Sequence, residues 1–398
     1  MIRRRHLFHI SGYDPAPAQV YYRRFVNQLE IYKTTWGVEA TASLDDKSSF
    51  CRWTILTEGP HWHTHCTYEL LAWDDIIQAE ASRSEMSRLW RGMIAYVDLI
   101  GTGTIFRYIM ANSQYFFFTI FPILQLGFLA VCAAYAALSI VHAVPVLAPQ
   151  QGALIAVVGV GFFLLLLQWP GRRWRIQQSL DDWILSKDYI KRQRSDLEAR
   201  LNQFAERLIA YSQDTALDEI IIVGHSLGAV LAVDVVAKAL QLDPGLARRG
   251  ISIALVTVGA TIPKCALHPQ GHDIRAKIAR IVADADIFWV EYQARADFIN
   301  FYRFDPASLS RISKAHDEMK TKPIIRRVRL QSMLRPGTFA KYRLNLLRLH
   351  YQFVMANDCR YSYDYFMLVC GPFAAQEWTT RPRGLLDCFE GPASSHSN

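Results

Sequence analysis

A serine flanked by two glycines is the feature of this chain whose residue types and spacing suggest chemistry most directly. Ser226 lies between Gly224 and Gly228, after a β-branched run at 220–223 and before small, apolar residues that extend to about 242. This order predicts a strand, a sharp turn and a helix. A serine on such a turn adopts a strained backbone conformation that presents its hydroxyl, and the glycines leave room for the turn to close. The pattern therefore predicts a nucleophilic serine.

The sequence around this serine also carries a family resemblance. Gly-His-Ser-Leu-Gly-Ala, with His225 before the serine and Leu227 after it, resembles the nucleophile elbow of the α/β-hydrolase superfamily in its lipase and esterase form. The resemblance implies a mostly parallel, doubly wound α/β sheet and a triad of serine, acid and histidine in that chain order. The alternative is a serine that merely caps a helix.

The resemblance further implies an oxyanion hole built from two backbone N–H groups. One would come from Leu227, and the other from a loop that follows an early strand. Gly12 and Tyr13 follow a strand predicted at 7–10, and a helix is predicted after them at 18–35. A glycine permits the close backbone approach that an oxyanion requires. An ordinary turn between strand and helix is the alternative for this loop.

The acid of the triad is expected after a later strand. Residues 288–294 form an apolar run typical of a buried strand, and Asp297 follows it directly. Asp297 is therefore the predicted acid, with Asp284 and Asp286, which precede the strand, held as reserves. The alternative is an aspartate that only stabilises a turn.

The histidine should come after one more strand, predicted at 328–333. His350 fits this order and lies in an aromatic-rich segment, 346–353, that could support its ring. His396 also fits the order but lies in a Ser-rich tail, and His316 precedes the predicted strand. His350 is the predicted base, against the alternative of a buried histidine without a catalytic role.

A cluster of histidines offers a competing metal site. His61, His63 and His65 alternate just before Cys66, and alternate residues of a strand share a face. No fourth ligand with recognisable spacing accompanies them, so a polar loop or strand rim is the favoured interpretation. The pair at 74–75, two aspartates, is expected to cap a helix that begins at residue 76. The predicted chemistry needs neither a metal nor an organic cofactor.

Composition limits the function classes. The chain has 398 residues, of which 51% are hydrophobic and 20% charged, which is slightly too apolar for a plain soluble enzyme and too charged for a polytopic transporter. A net charge of +8 suits nucleic acid or an anionic membrane surface. Since no arginine-rich tract with interleaved aromatics occurs, we expect a membrane and no nucleic acid. Seven scattered cysteines without Cys-x-x-Cys spacing favour a reducing compartment.

The apolar excess is concentrated in two segments. Residues 115–144 and 153–169 contain no Asp, Glu, Lys or Arg, and both are long enough for a membrane span if the second begins near residue 150. Arg107 precedes the pair and an arginine-rich stretch at 172–175 follows it, whereas the connecting loop has no Lys or Arg. The positive-inside rule then places both flanks in the cytoplasm. A buried hydrophobic hairpin is the alternative.

These observations predict the domain organisation. Residues 1–110 and 170–390 would form one α/β-hydrolase domain, interrupted by a transmembrane hairpin at 115–169 and followed by a flexible tail at 391–398. A long helix at 179–212 would lead to the strand before the serine, and 361–369 would be a last aromatic strand or packing segment.

The sequence therefore predicts an integral membrane serine hydrolase with its catalytic domain in the cytoplasm, as at a bacterial inner membrane. Its substrate would be a lipid or another acyl ester, cleaved through an acyl-enzyme. An acyltransferase or thioesterase with the same triad is one alternative, since this fold serves many reactions. A membrane-anchored interaction protein without catalysis is the other.

Overall fold

The protein is a mixed α/β chain built around an eight-stranded sheet. A computed structural model describes residues 1–45, 50–143, 148–284, 286–310, 322–381 and 386. The strands are β1 (Arg4–Ile10), β2 (Glu39–Leu44), β3 (Cys51–Gly59), β4 (Trp62–Leu70), β5 (Glu219–His225), β6 (Ser252–Val258), β7 (Ile287–Ala294) and β8 (Ile324–Val328).

The sheet has the order β2-β3-β4-β1-β5-β6-β7-β8. Neighbours from β4 to β8 pair in parallel, whereas β2, β3 and β4 form an antiparallel meander at one end. The α/β class is thus confirmed. The antiparallel end is an addition to the predicted, mostly parallel sheet. It arises because connections of six residues (45–50) and two residues (60–61) join these three strands, which is too short for the crossover that a parallel pair needs.

The described residues also form sixteen α-helices. They are α1 (Ala18–Trp36), α2 (Asp74–Ala81), α3 (Glu85–Gly101), α4 (Thr104–Ala111), α5 (Ser113–Ala143), α6 (Ala148–Leu166), α7 (Ile176–Ile190), α8 (Ser195–Tyr211), α9 (Leu227–Leu242), α10 (Ile262–Ala266), α11 (His272–Ala283), α12 (Leu330–Met333), α13 (Pro336–Tyr342), α14 (Leu346–Tyr351), α15 (Tyr365–Cys370) and α16 (Ala375–Thr380).

The chain divides into two compact units. Unit 1 contains residues 1–78 and 189–398 with the whole sheet, and unit 2 contains residues 79–188. Unit 2 is larger than the hairpin expected from the sequence, because α3, α4 and most of α7 belong to it together with α5 and α6.

The central strand β5 is buried on both of its faces. Ile221 and Val223 point into the core formed with α1 and the C-terminal helices. Since side chains alternate along a strand, Ile220 and Ile222 point to the opposite face, which α9 covers. This double burial explains the unbroken β-branched run before Ser226.

A buried ion pair joins the sheet to the end of the chain. Arg5 on β1 donates from Nε to Glu219 Oε2 on β5 at 2.8 Å, and both side chains are at most 1% exposed. The remaining guanidinium N–H groups donate to the carbonyl oxygens of Val369, Gly371 and Phe373, and the N–H of Ala375 donates to Glu219 Oε1. Because every charged group has partners, the pair fixes the C-terminal segment without leaving a buried charge uncompensated.

Unit 2 contains both predicted membrane segments. In the part of the chain that the structure describes, Ser113–Ala143 and Gln151–Gly171 are helices long and apolar enough to cross a membrane. Their positions agree with the two uncharged segments of the sequence. Pro122 lies inside α5 without ending it.

Two sequence-based element predictions are wrong, and a third, which left two alternatives open, is resolved. The helix expected at 179–212 is two helices, because the chain turns between α7 and α8, where Arg192 has a φ of 57°. The strand expected at 328–333 ends at Val328 as β8 and continues into the short helix α12. Of the two alternatives for 361–369, a strand or a packing segment, the second fits, because residues 365–370 form the buried helix α15.

One buried carboxyl should make folding sensitive to pH. Glu291 on β7 is almost fully buried; burial raises the pKa of this carboxyl to about 8, although hydrogen bonds from Gln293 and Thr257 oppose the rise. The folded state then keeps a proton that the unfolded state loses above about pH 4.5, so stability falls as pH rises from about 4.5 to 8.

Glu291→Gln mimics the protonated carboxyl and should remove most of this fall. We expect the variant to be more stable than the wild type at pH 8.5 by on the order of 2 kcal/mol, and to differ little at pH 4.5. Urea unfolding in detergent, followed by circular dichroism, measures the difference. Glu39→Gln, on the exposed edge strand β2, is the control. Equal pH dependence in wild type and Glu291→Gln would contradict the expectation.

Candidate active site

The candidate site lies at one edge of the sheet, where four parallel strands end. Gly12 follows β1, Ser226 follows β5, Gly259 follows β6 and Asp297 follows β7. The carboxyl ends of parallel strands lie at the same edge, which is where open α/β sheets bind their ligands. The topology therefore gathers residues that are far apart in the chain.

Ser226 has the backbone strain expected of a nucleophile elbow. Its φ is 57° and its ψ is −124°, a conformation that is costly for a residue with a side chain. Backbone bonds hold it there: its N–H donates to the carbonyl oxygen of Val258 at 3.2 Å, and its own carbonyl accepts from Ala229 at 3.1 Å. The residue remains partly exposed at the surface of unit 1.

Glycines make the turn possible. A Cβ at Gly228 would lie 2.2 Å from the carbonyl oxygen of Ile10, and a Cβ at Gly224 would lie 2.5 Å from Cα of Ala229. Both distances are shorter than any real contact, and the obstructing atoms belong to the backbone. The two glycines that the sequence predicted are therefore required for β1, β5 and α9 to pack closely around the turn.

His350 and Asp297 form a buried pair. His350 Nδ1 lies 2.8 Å from Asp297 Oδ2, and neither side chain is more than 4% exposed. The other carboxylate oxygen of Asp297 accepts the N–H of Ile299 at 2.9 Å, and Asn300 donates to the backbone carbonyl of Asp297. The loop after β7 thus fixes the carboxylate, and with it the orientation of the imidazole.

The position of His350 is fixed from two further sides. His225 Nε2 donates to the carbonyl oxygen of His350 at 3.1 Å, and the two rings lie 4.5 Å apart between centroids. Burial, together with the neighbouring His350 and His9, holds the pKa of His225 well below its usual range, so His225 is neutral at physiological pH. Gly259, with a φ of 53°, packs so closely that a Cβ would lie 3.0 Å from His350 Cε1.

The second ring nitrogen of His350 is available for chemistry. Nε2 is buried and has no hydrogen-bond partner among the residues that the structure describes. Ser226 and His350 both flank the end of β6, where Ser226 bonds to Val258 and His350 packs on Gly259. The structure therefore brings all three predicted triad residues to one edge of the sheet.

Sequence reasoning missed Asp14, which links the predicted oxyanion loop to α14, the helix that carries His350. Asp14 is buried and accepts hydrogen bonds from Tyr351 Oη at 2.9 Å and from Arg24 Nη1 at 2.8 Å. Burial alone would raise the pKa of Asp14, but the hydrogen bonds and charge of its partners, chiefly Arg24, hold this pKa below its usual value. The sequence signal was an acidic residue two positions after Gly12, directly before a proline.

The predicted oxyanion loop lies against the serine. A Cβ at Gly12 would lie 2.8 Å from Ser226 Cβ and 3.3 Å from Ser226 Oγ. Leu227 is the first residue of α9, so its N–H has no acceptor within the helix. The ring of Tyr13 packs edge-on against Trp73, with centroids 6.2 Å apart. This arrangement places two of the three predicted oxyanion residues, Gly12 and Leu227, beside the serine.

Other candidates from the sequence lie elsewhere. Asp284 and Asp286 precede β7 at the opposite edge of the sheet from Asp297, and Asp286 pairs with Arg248. The histidine at 316 and the tail with the histidine at 396 lie outside the described residues.

The histidine cluster and the aspartate pair have structural positions. β4 begins at Trp62, so His63 and His65 are strand residues rather than loop residues. Among the described residues, no group of three His, Cys, Asp or Glu side chains is arranged to hold a metal ion. The aspartates at 74–75 begin α2 instead of preceding it, and Asp75 pairs with Arg200 at 2.8 Å.

Gly12→Ala tests the contact between the loop and the serine. The added methyl group would push the loop away from Ser226 and displace its N–H donors, so we expect acyl-ester hydrolysis to lose about 10²- to 10³-fold in kcat. Gly337→Ala, on the exposed helix α13 with open space around it, is the matched control and should retain activity. Unchanged kcat in a folded Gly12→Ala protein would argue against a role for this loop.

Comparisons with known proteins found no match to this chain. The chain matches no protein-family model, and neither the curated proteins nor the solved structures contain a significant match to it. The strained serine, the buried pair of histidine and aspartate, and the glycine loop beside them therefore provide the support for a function.

Proposed function

We propose that the protein is a membrane-anchored serine hydrolase of the α/β-hydrolase type, most similar in chemistry to lipases and esterases. The observation that carries the proposal is the buried His350–Asp297 pair at the same sheet edge as Ser226 in its strained turn. The parallel strands β1, β5, β6 and β7 support the assignment of the fold, because the predicted oxyanion loop, nucleophile and acid each follow one of them.

The proposed reaction follows from the groups at this edge. Ser226 Oγ attacks the carbonyl carbon of an acyl ester while His350 Nε2 takes its proton, and the same nitrogen returns the proton to the leaving alcohol. Asp297 accepts the Nδ1 hydrogen bond, which keeps Nε2 unprotonated before attack and stabilises the imidazolium afterwards. Water then attacks the acyl-enzyme with His350 as the base.

The oxyanion of each tetrahedral intermediate needs fixed donors. The N–H of Leu227 lies at the positive end of α9, and the loop of Gly12 and Tyr13 would supply the second donor. Donors of this kind contribute about 3 to 4 kcal/mol each. Neutral His225 contributes no competing positive charge beside the imidazole.

The proposed substrate is an ester of a membrane lipid or a similar acyl ester. The chain joins its catalytic residues to two helices that are apolar enough to span a bilayer. An enzyme held at the membrane in this way meets acyl esters that are dilute in water but concentrated in lipid. The arginines at both outer ends of the hairpin favour a cytoplasmic position for unit 1.

Covalent labelling tests the proposal. Detergent-solubilised protein is treated with a fluorophosphonate, and the modified peptide is identified by mass spectrometry; short- and long-chain acyl esters are then compared as substrates. We expect labelling at Ser226 and turnover of at least one ester class. Folded protein that neither takes the label nor hydrolyses any ester would favour the interaction-protein alternative. Formation of a new ester when an alcohol is added would identify an acyltransferase.

A further inference from the structure

Helix α3 in unit 2 has two apolar faces, although only one of them is covered. Its inner face is buried and consists of Leu89, Gly92, Ala95, Tyr96 and Leu99. Its outer face is exposed and consists of Met86, Trp90, Met93, Ile94, Val97 and Ile100. The outer residues recur at the three- and four-residue spacing of one helix face. Trp90 is 68% and Val97 65% exposed.

Two charged residues of α3, Arg88 and Arg91, form ion pairs away from this outer face. Arg88 Nε lies 2.9 Å from Asp181 on α7, and Arg91 pairs with Glu80 and with Asp188. These pairs satisfy both guanidinium groups within unit 2. The outer face therefore remains an unbroken apolar surface along the length of α3.

Helix α4 extends the same surface. Gly103, with a φ of 68°, allows a bend of 71° between α3 and α4. Phe106, Ile109 and Met110 are exposed on α4, with Met110 at 87%. We call the exposed apolar residues of α3 and α4 together the outer face.

A hydrogen bond from the inner face and an ion pair at the beginning of α3 connect this helix to the candidate membrane helices. Tyr96 Oη donates to the carbonyl oxygen of Thr119 on α5 at 2.8 Å. At the beginning of α3, Glu85 pairs at 2.9 Å with Arg172, which directly follows the second apolar helix. The kinked pair therefore lies beside the end of the hairpin at which α5 begins and the second helix finishes.

Lipid is the occupant that this position favours. A single residue, Asn112, separates α4 from α5, and its side chain accepts the N–H of Tyr115 at 2.7 Å, so the junction is short and held. The first turns of α5 expose two further apolar side chains, Phe117 and Phe121. Exposed apolar areas of this extent mark interaction sites, and aromatic and aliphatic residues opposite a charged helix face are typical of helices at the bilayer interface.

We propose that the outer face of α3 and α4 is embedded in the bilayer as a third membrane-contacting element, beside the two spanning helices. The membrane-bound part of unit 2 would then comprise this kinked helix pair as well as the two spanning helices. The pair would lie at the acyl-chain boundary, on the side of the bilayer where α5 begins and the second apolar helix ends. The proposal concerns unit 2 alone and does not depend on the chemistry at Ser226.

Quenching by brominated lipids tests this placement. An environment-sensitive fluorescent amino acid is introduced by stop-codon suppression at Val97 in one full-length variant, at Phe121 in a second and at Gln203 in a third. Phe121 is the reference on α5, and Gln203 is an exposed position on α8 in unit 1. Each protein is reconstituted into vesicles with or without lipids brominated on their acyl chains.

We expect quenching at Val97 to reach at least half of that at Phe121, with none at Gln203. Water-like emission at Val97 without quenching would overturn the proposal. Blue-shifted emission that bromolipids do not quench would also overturn it, because a second copy or another protein would then cover the face. Absence of quenching at Phe121 would remove the membrane reference and overturn it as well. Trp90→Phe checks the result without a label, since it should reduce the quenchable tryptophan fluorescence.

Discussion

Replacing Ser226 with alanine should lower the kcat of acyl-ester hydrolysis by about 10⁶-fold, the loss expected where a triad acts as a unit. The expectation follows from the strained turn, which presents a single hydroxyl at the sheet edge where His350 and Asp297 meet. Without that hydroxyl no acyl-enzyme forms, and fluorophosphonate labelling should disappear with the activity. Steady-state hydrolysis by the detergent-solubilised protein measures the loss.

Ser252→Ala is the matched control for this experiment. Ser252 begins β6 at the opposite edge of the sheet, so its removal should leave kcat and labelling unchanged. Circular dichroism must show that both variants are folded. If folded Ser226→Ala still hydrolyses the ester as fast as the wild type, Ser226 is not the nucleophile and the proposed mechanism fails.

Asp297→Asn should cost about 10⁴-fold in kcat while leaving the fold intact. The carboxylate at 2.8 Å from His350 Nδ1 fixes the tautomer in which Nε2 can accept the serine proton. An amide of the same shape can donate to Nδ1 instead, which favours the wrong tautomer and leaves the imidazolium unstabilised. The acyl-ester assay at several pH values measures the loss.

The reserve acid offers the control. Asp286 is exposed and lies before β7, so Asp286→Asn should retain kcat within about twofold, as expected for a surface substitution. A small effect of Asp297→Asn together with a large effect of Asp286→Asn would reverse the assignment. Equal, small effects would show that the buried pair has a structural role alone.

The part of the site that sequence could predict is the part encoded locally. The nucleophile turn needs β-branched residues before it and glycines beside it, and these features occupy the nine consecutive positions 220–228 around Ser226. The strand β7 is likewise a largely apolar segment, and its observed bounds differ from the predicted 288–294 by one residue. Asp297 follows from chain order once β7 is known.

The remaining features depend on contacts between distant residues. Asp14 and Tyr351 are separated by 337 positions, and no local pattern relates them. The role of Gly259 as the surface on which His350 packs appears only in three dimensions. The break between α7 and α8 carries neither proline nor glycine, and the helical spacing of apolar residues continues through it.

The prediction of a strand at 328–333 failed for a related reason, and the choice between a strand and a packing segment at 361–369 stayed open for the same one. Residues 328–333 and 361–369 are rich in apolar and aromatic residues, and such short runs suit a strand or a buried helix equally well. In the structure the core of unit 1 uses Met333 and Phe366 as helical residues. Length and composition alone could not separate these two cases.

The pairing of β1 with β5 also determines when the site can form during synthesis. Arg5 and Glu219 are 214 residues apart, and residues 79–188 lie between them in the chain. Of the two strands beside β1, a ribosome makes β4 before these residues and β5 after them. The strand that leads to Ser226 therefore cannot join the sheet until both apolar helices have been translated. A nascent chain that ends with unit 2 would contain both apolar helices but neither β5 nor Ser226.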